Sequence, residues 1–111
     1  MRNLKQGDII YTDINPTVGH EQSGKRPAVV LNNKSCDKFS AMTIICPITS
    51  NNREYPTKVE LKNTKTKGFV LCDQIRALDL SNRSYTYLES MDDDTLWDVI
   101  DCVRSLIEKL P

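Results

Sequence analysis

The run Asn15 to Pro27, Asn-Pro-Thr-Val-Gly-His-Glu-Gln-Ser-Gly-Lys-Arg-Pro, gathers side chains that can move protons and hold anions. His20 is the only histidine of the chain, and Glu21, Lys25 and Arg26 stand close to it. Histidine titrates near neutrality, a carboxylate accepts protons, and the arginine fork matches phosphate oxygens. Two glycines and two prolines within the same run make it a loop by composition. Thr49 to Pro56 is a second polar stretch, rich in hydroxyls and amides, and Asp73-Gln74 closes an apolar run that starts at Phe69. Hydroxyls and amides of this kind either stabilise turns or donate to a substrate.

Other chemistries are excluded by spacing. Cys36, Cys46, Cys72 and Cys102 lie 10, 26 and 30 positions apart, so no Cys-x-x-Cys metal or redox pair exists. Without a secretory signal the four thiols are expected to be reduced, with Cys46 and Cys72 acting as small core residues. The one carboxylate cluster, Asp92-Asp93-Asp94, precedes a helical pattern and is explained by capping and by the positive helix end. No metal site and no cofactor are expected.

The elements that must position these groups are short. The 111 residues, 39% apolar, suit one domain spanning 1–111. No apolar run is long enough to cross a bilayer, so a cytosolic protein with no membrane partner is expected. Strand-like runs occur at Ile9 to Ile14, Ala28 to Leu31, Met42 to Ile48, Thr57 to Leu61, Phe69 to Cys72, Ile75 to Asp79 and Tyr85 to Leu88. Turn clusters separate them, among them Asn32 to Ser35 and Lys62 to Gly68, and Pro47 calls for an edge or bulge. From Ser90 the period changes, since Leu96, Val99, Ile100, Val103, Leu106, Ile107 and Leu110 recur at three- and four-residue steps. That is one amphipathic C-terminal helix, with Asp92 as its N-cap. The pattern predicts an α+β fold, a curled and mostly antiparallel sheet with the helix at its end. Net charge is zero, but residues 1–76 hold 12 Lys/Arg against 7 Asp/Glu, while 77–111 hold 3 against 8. A basic part beside an acidic part can present a positive groove despite a neutral total.

Four separated blocks carry a resemblance to a known family. They are Gly7-Asp8-Ile9 through Arg26-Pro27, Pro47-Ile48-Thr49-Ser50, Pro56 to Leu61, and Cys72-Asp73-Gln74-Ile75-Arg76-Ala77-Leu78-Asp79, in one order. The chain resembles the MazF/PemK/Kid toxins, mRNA endoribonucleases of type II toxin–antitoxin pairs. The resemblance implies an SH3-like small barrel closed by the C-terminal helix, a homodimer, single-stranded RNA as substrate and a cognate antitoxin protein as partner. It also implies metal-independent cleavage by the 2′-hydroxyl, leaving a 2′,3′-cyclic phosphate and a 5′-hydroxyl. Arg26 and Thr49 match the catalytic arginine and threonine of the MazF branch. His20, Glu21, Gln22, Lys25, Ser50, Asn52, Asp73 and Gln74 are the implied RNA contacts. Gly19-His20-Glu21 and Cys72-Asp73-Gln74 resemble the Kid branch, in which an arginine precedes the aspartate by two positions; here that position is Leu71. A mechanism centred on Arg26 and Thr49 is therefore expected, with the 2′-hydroxyl proton passing to Glu21, His20 or water. A related fold serves CcdB-like gyrase poisons through a C-terminal tryptophan, but Trp97 lies inside the helix pattern. A non-catalytic RNA-binding barrel is the other alternative.

Overall fold

The structure, a computed structural model, describes residues 4–52 and 56–111. Expectations placed on Met1 to Asn3 and on Arg53 to Tyr55 lie outside the described residues. Seven strands and two helices follow in the order β1 (Asp8–Asp13), β2 (Lys25–Val30), α1 (Lys34–Phe39), β3 (Thr43–Thr49), β4 (Lys58–Glu60), β5 (Phe69–Leu71), β6 (Arg76–Leu78), β7 (Tyr85–Ser90) and α2 (Asp93–Ile107). All pairings are antiparallel, in the spatial order β4-β5-β3-β2-β1-β7, with β6 also on β3. The expected α+β fold, an antiparallel sheet with a C-terminal helix, is the one observed. No helix among the described residues is long and apolar enough to cross a membrane.

Alternation along the strands makes two apolar clusters, one on each face. Ile9, Val29, Cys46, Ile48, Val70 and Cys72 pack with Val99 and Val103 of α2. Ile10, Ala28, Val30, Ile45 and Leu78 pack with Leu4 and Ile14 on the other face. The sheet curls until its end strands meet through side chains: Lys65 N, Thr66 N and Thr66 Oγ1 of the β4–β5 turn donate to the Glu89 carboxylate on β7, at 3.0, 2.7 and 2.7 Å. α2 begins where the sequence places it, with Thr95 N donating to Asp92 Oδ1 at 2.8 Å. Its apolar stripe is covered only in part, since Val99 and Val103 are buried while Ile107 is more than 70% exposed; the helix ends there, so Leu110, expected on the stripe, lies beyond it.

Three assignments differ from the sequence reading. Asn32 to Ser35 is the entry to helix α1 rather than a plain turn. Asn33 caps it by accepting from Cys36 N at 2.8 Å, and buried Asn32 accepts from Ile44 N at 2.6 Å and donates to Met42 O at 3.0 Å. The helix buries no residue, so no apolar period announces it. Lys25, Arg26 and Pro27 belong to β2, not to the preceding loop. Pro27 is tolerated because the β2–β3 ladder begins one residue later, at Ala28 opposite Pro47. Thr49 is the last residue of β3, paired with Phe69, rather than the first of a loop. Pro47 falls between the β6 and β5 partners on the other edge of β3, the interruption its missing amide requires.

Candidate active site

The loop between β1 and β2 is held by specific bonds at nearly every turn. Ile14 N donates to Gly24 O at 3.1 Å, closing its base. Asn15 Oδ1 accepts from Gly24 N at 3.1 Å and from Thr17 Oγ1 at 3.3 Å. Two arginines from distant segments grip the same end, Arg83 on the carbonyls of Asp13 and Asn15 and Arg76 on that of Pro16. Gln22 N donates to Gln74 Oε1 at 2.7 Å, which ties the middle of the loop to the turn after β5. The loop is therefore a preorganised platform on a rigid sheet, a suitable place for chemistry.

Arg26 and Thr49 lie on neighbouring strands of the sheet. The β2–β3 ladder ends at Ala28 opposite Pro47, and Arg26 and Thr49 each lie two residues beyond that end, on the same face and half-buried. Arg26 Nε donates to Ser23 O at 3.0 Å, which orients the plane of the guanidinium. Thr49 Oγ1 accepts from Asn51 N at 3.2 Å, so its own hydrogen remains available for donation. Gly68 is what lets β5 lie against this residue: a Cβ there would collide with the Thr49 carbonyl oxygen.

Thr49 opens onto a cavity of about 200 Å³ lined by His20, Gln22, Asn51, Lys58, Leu71 and Gln74. A smaller cavity, about 140 Å³, adjoins it through the shared Gln22 and Gln74, and brings in Glu21 and Asp73 beside Pro47 and Arg76. Of the expected site residues, His20, Gln22, Thr49 and Gln74 thus share one cavity, and Glu21 and Asp73 line its neighbour. Arg26 lines neither of these two cavities. Ser50 and Asn52 are exposed on the segment leaving β3, and Asn52 Oδ1 accepts from Lys58 Nζ at 3.1 Å. Lys25 sits apart, opposite Asp13 in the β1–β2 ladder, in an open depression with Asn15 and Arg83.

Glu21 is committed locally: its Oε1 accepts from Val18 N at 2.5 Å and closes a turn of the loop. No group of three or more His, Cys, Asp or Glu among the described residues could hold a metal ion. The buried thiols are not nucleophiles, because burial pushes Cys46 up to about 12 and raises Cys72 further, helped there by Cys102. Sequence reasoning missed Lys58, Asn51 and Leu71 as lining residues, and missed Arg83 as an anchor. Lys58 opens a strand directly after the second polar loop, and that position was the available signal.

A small curled sheet with a threonine in a cleft of amide, imidazole and ammonium groups, and an arginine on the next strand, has the donors and charge that suit a polyanionic chain. The model of the PemK-like, MazF-like toxins of type II toxin–antitoxin systems matches residues 5–107. The endoribonuclease MazF of Staphylococcus saprophyticus is 36% identical over 93 residues, 77% of this chain and 78% of that one. The endoribonuclease toxin MazF of Escherichia coli K12 is 36% identical over 80 residues, 72% of each. Among solved structures, MazF of Deinococcus radiodurans superposes with a TM-score of 0.85 at 32% identity, covering 96% of this chain and 97% of that one. A MazE-MazF complex of the same organism gives 0.81 at 31% identity, covering 99% and 100%. The chain belongs to the PemK-like, MazF-like toxin family.

Proposed function

We propose that the protein is an endoribonuclease, the toxin of a type II toxin–antitoxin pair, which cleaves single-stranded mRNA at particular sequences in the cytoplasm. The observation that carries this reading is the cavity that Thr49 lines with His20, Gln22 and Gln74, with half-buried Arg26 on the same face of the neighbouring strand. Residues 1–111 act as one toxin domain.

The nucleophile is the substrate's own 2′-hydroxyl, already beside the phosphorus, so the protein supplies charge stabilisation and proton transfer. The 2′-oxygen attacks phosphorus and the bond to the 5′-oxygen breaks. A 2′,3′-cyclic phosphate forms, and the 5′-oxygen takes a proton from water and leaves as a hydroxyl. Arg26 faces the phosphoryl oxygens with its planar fork and stabilises the developing charge; it does not act as base, because a guanidinium keeps its proton. Thr49 donates its hydroxyl hydrogen to the same oxygens. Glu21, bonded to Val18 N, shapes the loop. The 2′-hydroxyl proton goes to water or to His20, which lines the cavity with Thr49. His20, Gln22, Gln74, Asp73, Ser50 and Asn52 contact bases and sugars, and Lys25 meets the strand farther along.

The protein acts as a homodimer, and its antitoxin inhibits by laying an extended segment in the RNA cleft. The bound states of relatives support the antitoxin, since a Deinococcus radiodurans relative is described as a MazE-MazF complex. Incubation with a long RNA tests the reading. Fragments ending in 2′,3′-cyclic phosphate and 5′-hydroxyl are expected in excess EDTA, with no cut where the scissile nucleotide carries 2′-deoxyribose. Cleavage of the deoxy substrate would sink the mechanism. His20→Gln is expected to raise KM more than it lowers kcat. A loss of turnover as deep as that of Arg26→Ala would instead make His20 the base.

A further inference from the structure

Phe69 is an aromatic residue that the core does not use. Alternation sends Val70 into the cluster under α2, so Phe69 turns to the opposite face and remains half-buried. On that face it stands directly opposite Thr49 in the β3–β5 ladder. Thr49 and Phe69 are therefore cross-strand neighbours, with side chains about 5 Å apart at Cβ. Lys58 reaches over from β4: its Nζ lies 4.2 Å from the centroid of the Phe69 ring, and its side chain lines the Thr49 cavity. A ring face and an ammonium beside a reacting phosphate are the two groups that single-stranded nucleic acid binding requires.

We propose that Phe69 and Lys58 form a one-nucleotide subsite flanking the scissile phosphate. The base of that nucleotide stacks on the Phe69 ring, and the Lys58 ammonium moves from the ring to the adjoining phosphate. The subsite rests on RNA as the substrate and adds a residue that favours a stacked base at one fixed position. Phe69 is a specificity residue rather than a catalytic one, because it reaches the base and not the reacting atoms.

Binding of short oligoribonucleotides tests it, with 2′-deoxyribose at the scissile nucleotide to bar cleavage. The sequence is taken from a cut mapped on a long RNA or, should none be cut, from the tightest-binding member of a mixed pool. Phe69→Leu is expected to weaken binding about tenfold, and Phe69→Tyr to restore it. An abasic nucleotide placed at each position in turn is expected to reproduce the tenfold loss at one position in the wild type. The same substitution is expected to cost Phe69→Leu nothing further, since the two changes remove one contact. Lys58→Gln is expected to lower the slope of log Kd against log salt by about 0.7. Equal abasic losses in wild type and Phe69→Leu, or unchanged binding by Phe69→Leu, overturn the subsite. The predicted coupling without any cleavage overturns the endoribonuclease reading and keeps the subsite. A wild type that binds no oligonucleotide overturns both.

Discussion

Ile48 and Thr49 are neighbours in β3, yet they face different parts of the molecule. Ile48 enters the cluster under α2, with Val29, Val70, Val99 and Val103, where water is excluded. Thr49 points the other way, beside Phe69, into an open polar cavity. β5 repeats the division, with Val70 on the α2 side and Phe69 on the cavity side. The α2 face is packed along its length, whereas the other face is packed around Ile10, Val30 and Ile45 and opens into the polar cavity only at Thr49, and a period of two keeps the two faces apart. Function and stability should therefore separate between adjacent residues.

The largest expected effect breaks the polar face alone. Arg26→Ala and Thr49→Ala should each lower kcat about 10²- to 10³-fold, the range seen when a single preorganised donor to a developing oxyanion is removed. Both proteins should remain folded, since neither side chain belongs to an apolar cluster. Cleavage assays paired with urea denaturation check this. A folded and fully active variant would place the chemistry elsewhere.

The packed face should respond in the opposite sense. Ile48→Ala removes a side chain 2% exposed and should cost about 3 kcal/mol of stability, while the folded fraction still cleaves at a comparable rate. Urea midpoints measure the first and active-site titration the second. Equal damage to kcat from Ile48→Ala would show that the two faces are coupled through β3.

Much of this division was legible in sequence, and what escaped has physical causes. The C-terminal helix showed itself through Leu96, Val99 and Val103 and through its cap Asp92, because a three- to four-residue period and a capping residue are local signals. The loop carrying His20, Glu21 and Gln22 was legible from glycine, proline and polar content. α1 escaped because it rests on side-chain bonds from Asn32 and Asn33, with no apolar stripe to read. The strand starts at Lys25 and Arg26 escaped because Pro27 reads as a breaker, and only the offset of the β3 ladder makes it acceptable. Lys58 and Phe69 could not be joined to Thr49 without the registers of two ladders, which local composition does not contain. The grip of Arg76 and Arg83 on the loop carbonyls spans 60 to 70 positions and is equally non-local.

Thiol reactivity sharpens the comparison at smaller scale. Cys46 and Cys72 lie on the packed side and are fully buried, whereas Cys36 and Cys102 are partly accessible. With Cys46 pushed up to about 12 by burial, almost no thiolate is present at pH 8. A disulfide reagent should label two thiols in the native protein and four in denaturant. Rapid native labelling of Cys46 would mean that the packed face opens far more readily than its burial implies.

The smallest expected effect lies where the two ends of the sheet meet, at Glu89. Burial alone would raise its pKa, but donation from the Thr66 hydroxyl and from the Thr66 and Lys65 amides outweighs this and lowers it. A carboxylate with a folded pKa below its unfolded one contributes stability above the unfolded value, about 4.3, and loses that contribution as pH falls through the folded value. Wild-type stability should therefore decline below about pH 5, and Glu89→Gln, less stable at neutrality, should decline less over the same interval. Urea midpoints from pH 7 to pH 3 provide the comparison, and a parallel decline in both proteins would remove Glu89 as the group that ties the β4–β5 turn to β7. Because that turn begins two strands away from Thr49 and carries Gly68, which packs on the Thr49 carbonyl, the same protonation should reach the polar face weakly. At neutral pH, kcat in Glu89→Gln should fall by no more than about threefold, a change of roughly 0.6 kcal/mol.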